Sequence, residues 1–148
     1  MTDAYEATKT DGRTKVEYQT ALSHAWEIEK LACERYHLRK NPHAGDADFT
    51  YRETLEELTG APDLIDAAGN LYEVVEDASN TIRRNLYLDF RNEKLSNLQK
   101  YEAIILVYVK GKWLKIHADS LAFSTVWNEK WAKNVQRADM SGWATLLE

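Results

Sequence analysis

A set of side chains in the last third of the chain has the types that grip and read nucleic acid: Lys112, Lys115, Thr125, Asn128, Glu129, Lys130, Lys133, Gln136 and Arg137. Lysine and arginine neutralise phosphates. Asparagine and glutamine match the adenine edge, glutamate accepts from cytosine, and threonine serves either role. A second set, Asp63, Asp66, Glu73, Glu76 and Asp77, could pair for acid/base work if folding brought its members into one cleft. As a run along one element it reads instead as a solvated acidic face. Cys33 and His37 stand four residues apart, a spacing at which two side chains on a helix can share a metal. His24, nine residues before Cys33, falls on the opposite side of that helix, so no metal site is expected. There is no Gly-rich phosphate loop, no nucleophile elbow and no paired histidines around a glutamate. The expectation is a non-catalytic protein without cofactor or metal.

Charge is unevenly placed. The chain of 148 residues carries a net −5. Acidic residues predominate up to about residue 97 and basic ones slightly outnumber them beyond it. Between Glu53 and Ile82 every charged side chain is a carboxylate, which would repel a phosphate backbone and could dock on a basic protein partner. Nucleic acid binding would therefore fall to the C-terminal third. No apolar run approaches the roughly 20 residues of a membrane-spanning helix. The single cysteine and the absence of an apolar segment near Met1 favour a cytoplasmic protein.

The elements that would position these residues read as helices. Residues 1–14 form a polar, Thr-rich flexible tail. Lys15 to Lys40 has no Gly or Pro, and Tyr18, Leu22, Ala25, Ile28, Ala32 and Tyr36 recur at helical spacing until Asn41-Pro42 stops the run. Asp48 can cap a short helix to about Thr59. From Pro62, the residues Ala61, Ile65, Ala68, Tyr72, Val75, Ser79, Ile82 and Leu86 step by alternating fours and threes. That spacing predicts a long helix over 62–92, a seam against the first helix or against a second copy of the chain. Gly69 inside it costs about 1 kcal/mol relative to Ala.

The segment from Ala103 to Ile116 admits two structures. A β-hairpin would turn at Lys110-Gly111. A helix pair would use Tyr101, Ile104, Ile105, Tyr108 and Val109 as one face, Gly111 as the stop, and Trp113, Ile116 and Leu121 as the next inner face. The continued helical spacing favours the helices. A third helix, capped by Ser124, would put Trp127, Trp131, Val135 and Ala138 inward and the polar set outward. At that spacing Trp113, Trp127, Trp131 and Trp143 read as core, although aromatics interleaved with lysine can also stack on single-stranded bases.

The stretch from Tyr108 through Gly111, Ala118, Ala122 and Phe123 to Ser124 resembles the helix-turn-helix of region 4 of bacterial sigma factors. Phage late-gene regulators of the ArpU and Q-antiterminator type share such a segment. The resemblance covers about the last third of the chain and implies Ala118 at the helix contact, Ala122 at the turn and Phe123 after it. The sequence thus predicts an all-α protein with an acidic helical part over 15–97, long helical hairpin or coiled-coil-like, and a helix-turn-helix-like part over 98–148. The function expected is sequence-specific duplex DNA binding in transcriptional regulation by a homodimer. The alternative is a helical interaction module or inhibitor using the acidic segment 53–77.

Overall fold

A computed structural model describes residues 15–42 and 62–147. The short helix after Asp48, the N-terminal tail and residues Glu53, Glu56 and Glu57 of the acidic segment lie outside the described residues. Helix α1 runs Lys15–Tyr36. Its end is set by His37, whose φ of 59° leaves the helical region, and by the Leu38 amide reaching back 3.0 Å to the Cys33 carbonyl. That bond closes a left-handed C-cap, four residues before the proline that the sequence offered as the stop.

Among the described residues beyond α1, strands predominate. In order come β1 (Arg39–Lys40), β2 (Leu64–Ile65), β3 (Leu71–Glu76), α2 (Thr81–Asn85), β4 (Tyr87–Phe90) and α3 (Lys94–Lys100). Then follow β5 (Ile104–Val109), β6 (Lys112–His117), β7 (Phe123–Asn128) and β8 (Lys133–Asp139). One sheet has the order β1-β2-β3-β5-β6 and a second the order β4-β8-β7. The β1, β2 and β3 strands are antiparallel neighbours, whereas β3 and β5 pair in parallel. That parallel pair needs a crossover, which the segment through α2, β4 and α3 supplies.

The fold is therefore mixed α/β and not all-α, and local turn chemistry explains the difference. In the supposed long helix, the Asp66 carboxylate accepts from the Ala68 and Asn70 amides at 3.0 and 2.9 Å, and Gly69 takes a φ of 93°. These residues close a turn, and Tyr72 and Val75 of the apparent seam then lie on opposite faces of a strand. The heptad route to a homodimer disappears with the seam. At Lys110-Gly111 both φ values are positive, 49° and 89°, as a two-residue hairpin turn requires. Val109 pairs with Lys112 across it, so the hairpin reading of 103–118 is the correct one. The third helix is also absent. Val126 pairs with Val135 and Asn128 with Lys133 in a second hairpin, so no helix-turn-helix exists to place the predicted side chains in a groove.

Alternation along the central strands divides the interior in two. Ile104, Leu106 and Trp113 face α1 and pack with Ile28, Ala32, Leu64 and Tyr72. Ile105, Val107, Val109, Leu114 and Ile116 face the other way, against Leu95 and Leu98 of α3 and Leu88, Phe90 and Ala138 of the second sheet. Leu106 and Val107, misfits on the predicted helix face, are fully buried because β5 is covered on both sides.

Asp77 ties the end of β3 to α2. Buried, it accepts from the Thr81 and Ile82 amides, both at 2.9 Å, through separate carboxylate oxygens. Asp77→Ala should cost about 1–2 kcal/mol, the range for losing a helix cap. Urea denaturation at neutral pH measures it. An unchanged midpoint would show that water replaces the carboxylate.

Candidate functional site

The β2–β3 turn brings two of the predicted carboxylates together. Leu64 pairs with Tyr72, and extending that register by one residue sets Asp63 opposite Glu73. Asp63 is held by its neighbour strand: its carbonyl accepts from the Asn41 amide at 2.7 Å, and the Asn41 side chain donates to the Pro62 carbonyl at 3.0 Å. Helix α1 packs on β3 and carries Glu29 to within hydrogen-bonding reach of the Asp63 carboxyl. Partial burial, followed by the Asp63 charge, raises the pKa of Glu29, with Lys40 opposing.

Lys94 completes the cluster from the other side. The chain reaches it through Asn92 and Glu93, both at a φ of 57°, a left-handed pair that turns the end of β4 into α3. Ser96 of α3 is clasped by Gln136 of β8: its amide donates to Oε1 at 3.0 Å and its Oγ accepts from Nε2 at 2.9 Å. Thus anchored, α3 sets the Lys94 Nζ 2.5 Å from Glu73 Oε2.

Glu73 is the anomaly. Its side chain is 6% exposed, yet its Oε1 has no hydrogen-bond partner. Burial pushes its carboxyl up to about 7, with the push of the Asp63 charge and against the pull of Lys94 and of the Asp63 backbone amide. A buried carboxylate with one oxygen unmatched carries a desolvation cost that a hydrogen-bond donor or a cation would offset.

The set Glu29, Asp63, Glu73 and Lys94 is not a closed cage. Among the described residues no three His, Cys, Asp or Glu side chains enclose a metal. A hard divalent cation of the magnesium type needs only one or two carboxylates and fills its remaining positions with water and substrate oxygens.

The residues predicted to contact DNA are scattered over other duties. Gln136 is buried on Ser96. Arg137 makes a two-pronged ion pair with Asp89 at 2.8 and 2.9 Å, a contact that raises its pKa. Asn128 donates to the same Asp89 at 2.8 Å and accepts from the Trp131 amide at 2.9 Å. Lys115 lies between the Tyr36 and Tyr72 rings, on the α1 side of the first sheet. Lys112 and Lys133 are exposed at strand starts, Thr125 is exposed on β7, and Glu129 and Lys130 sit in the β7–β8 turn. They form no common reading surface.

The remaining acidic candidates also part company. Asp66 closes its turn, Asp77 caps α2, and Glu76 accepts from His24 Nε2 at 3.0 Å. Cys33 packs beside the α1 cluster, where burial and then the Glu29 charge raise its pKa, while His37 is exposed. Glu29 and Lys94 were not singled out from the sequence. The usable signal was the Asp66–Asn70 turn, since a hairpin closing there forces Asp63 and Glu73 into register.

Searches of protein-family models, curated proteins and solved structures find no match to this chain.

Proposed function

We propose that the chain is a divalent-cation-dependent hydrolase of phosphate esters, with nucleic acid phosphodiesters as the substrate class. The observation that carries this reading is the unmatched, buried Oε1 of Glu73, set beside the Glu29–Asp63 carboxyl pair and an ammonium group. Carboxylates in contact repel unless a proton or a cation lies between them. A hard cation would be held by Asp63 and Glu73 with support from Glu29, and it would supply charge stabilisation and an acidified water. Lys94 places a positive charge where a phosphoryl oxygen gains negative charge, and its amine can orient a water by hydrogen bonding. In hydrolysis the water oxygen bonds to phosphorus, the ester P–O bond breaks, and the water proton ends on the leaving oxygen. No covalent nucleophile is needed for this step.

Nucleic acid thus remains the proposed partner, at a different place and in a different role from the helix-turn-helix reading. The test is incubation of the full chain with end-labelled single- and double-stranded oligonucleotides and magnesium or manganese. Cleavage that EDTA stops and Lys94→Ala lowers at least tenfold supports the reading. Absence of cleavage with either cation, together with no calorimetric cation binding that Glu73→Gln removes, overturns it.

A further inference from the structure

A cleft of about 380 Å³ opens beside Lys94, floored by Val75 and walled by Arg91, Asn92 and Trp131. It shares Val75, Glu76, Asp89 and Trp131 with a second cleft of about 500 Å³ that continues along Tyr87 and Lys130 to Arg137. The two make one trough between the end of β3 and the second sheet, leading away from the carboxylate cluster.

Two guanidinium groups lie over aromatic rings in this trough. Arg91 sits 4.6 Å from the centre of the Trp131 ring, and Arg137 3.8 Å from that of Tyr87. Trp131 belongs to an exposed turn, yet its position is fixed: Asn128 grips its amide with one end and Asp89 with the other. Most of the carboxylates along the trough are already engaged. Asp89 is held by Arg137, Glu76 by His24, and Asp77 is buried on α2. Glu129 at the rim is followed in the chain by Lys130, which lines the same cleft. The two clefts together are lined by four carboxylates and four basic side chains, so the trough is close to neutral although the chain as a whole is net negative.

We infer that the trough is a binding track for single-stranded nucleic acid, in which Trp131 stacks an unpaired base while Arg91 and Lys130 meet the phosphates on either side. Stacking needs an exposed base face, which a duplex interior withholds, and it tolerates any base because each has a π-face. The track places the next phosphate at Lys94. This inference rests on the proposed hydrolysis only for that last placement. The track itself is a binding property.

The experiment measures anisotropy of a fluorescein-labelled 12-nucleotide single strand and of the matching duplex, in EDTA, with the full chain. The expected result is tighter binding of the single strand, about tenfold weakening by Trp131→Ala, recovery of most of the loss in Trp131→Phe, and a shallower salt dependence in Arg91→Ala. Circular dichroism of each variant guards against loss of the fold, and the phenylalanine variant keeps the test decisive if the alanine variant unfolds. Equal binding of the strand by parent, Trp131→Ala and Arg91→Ala overturns the inference, as does preference for the duplex. The two readings separate cleanly. Trp131-dependent binding without cleavage under any cation retains the track and removes the hydrolase. Cleavage with KM and kcat unaltered in Trp131→Ala retains the hydrolase and removes the track.

Discussion

Asp63→Asn is expected to lower cation-dependent phosphodiester cleavage by about 10²–10³-fold while leaving the protein folded. A bound cation stabilises the charge of a phosphoryl transition state by several kcal/mol, and about 1.4 kcal/mol corresponds to each tenfold in rate. Removing a ligand charge that faces both Glu29 and Glu73 forfeits most of that. Asparagine keeps the shape of the side chain, and the Asp63 contact to β1 runs through its carbonyl, which the substitution does not touch. Without cation the variant should be no less stable than the parent, because it relieves the Coulombic pressure that Asp63 exerts on both neighbours. Initial rates on a fluorogenic oligonucleotide, with thermal melts at increasing magnesium, measure both sides. Parent melting should rise with magnesium, since a ligand bound only by the folded state stabilises it, and the variant's should not. A variant that cleaves within threefold of the parent, or whose melting rises equally with magnesium, would remove Asp63 from the site.

How far the sequence discloses such a site can be judged residue by residue. The first helix is legible because Ile28 and Ala32 sit at helical spacing and nothing interrupts them. The second half misleads because β5 and β6 are covered on both faces or alternate imperfectly, so their apolar residues fit a helical template as well as a strand. Lys110-Gly111 and Asp66 with Gly69 were the decisive local signals. Each demands a positive φ or a side-chain-closed turn that a helix cannot accommodate. Given the turn at Gly69, the pairing of Asp63 with Glu73 follows from strand period alone. Glu29 and Lys94 do not follow from any pattern. Their approach depends on how α1 lies across β3 and on the left-handed pair Asn92-Glu93, both decided by packing between distant segments. Trp131 was placed in the core by a helical period that does not exist. On a hairpin turn it stands instead at the wall of the trough. The resemblance to a sigma-type helix-turn-helix shares the same origin, since glycine, small and apolar residues at those spacings also describe a strand, a tight turn and a strand.

In EDTA, folding stability should fall as pH rises from about 4.5 to about 7, and Glu73→Gln should abolish that decline. The sign follows from the direction of the shift. Burial raises the Glu73 carboxyl from its ordinary 4.5 to about 7 in the folded chain, so between those values the folded state holds a proton that the unfolded state has released. Stability drops with pH wherever the folded state binds more protons, and the drop ends once both states are ionised. A shift of this size corresponds to roughly 3 kcal/mol at pH 8, the conversion being about 1.4 kcal/mol per pH unit. Asp66 acts in a separate window. Hydrogen bonds from Asn70 first, joined by the Tyr72 hydroxyl and the Ala68 amide, hold its pKa at about 2, so its contribution is lost only as pH falls below its ordinary 3.8. Urea denaturation of parent and Glu73→Gln at pH 5, 6, 7 and 8 isolates the term, because the amide cannot titrate and leaves Lys94, 30% exposed, free to turn to water. The two proteins should differ little at pH 5, with the variant the more stable by a widening margin towards pH 8. Parallel profiles would mean that Lys94 fully compensates the buried charge. A widening margin that magnesium then closes would tie the instability to the site itself: the chain keeps a buried carboxyl that ionises around neutral pH, at a cost in stability that a bound cation offsets.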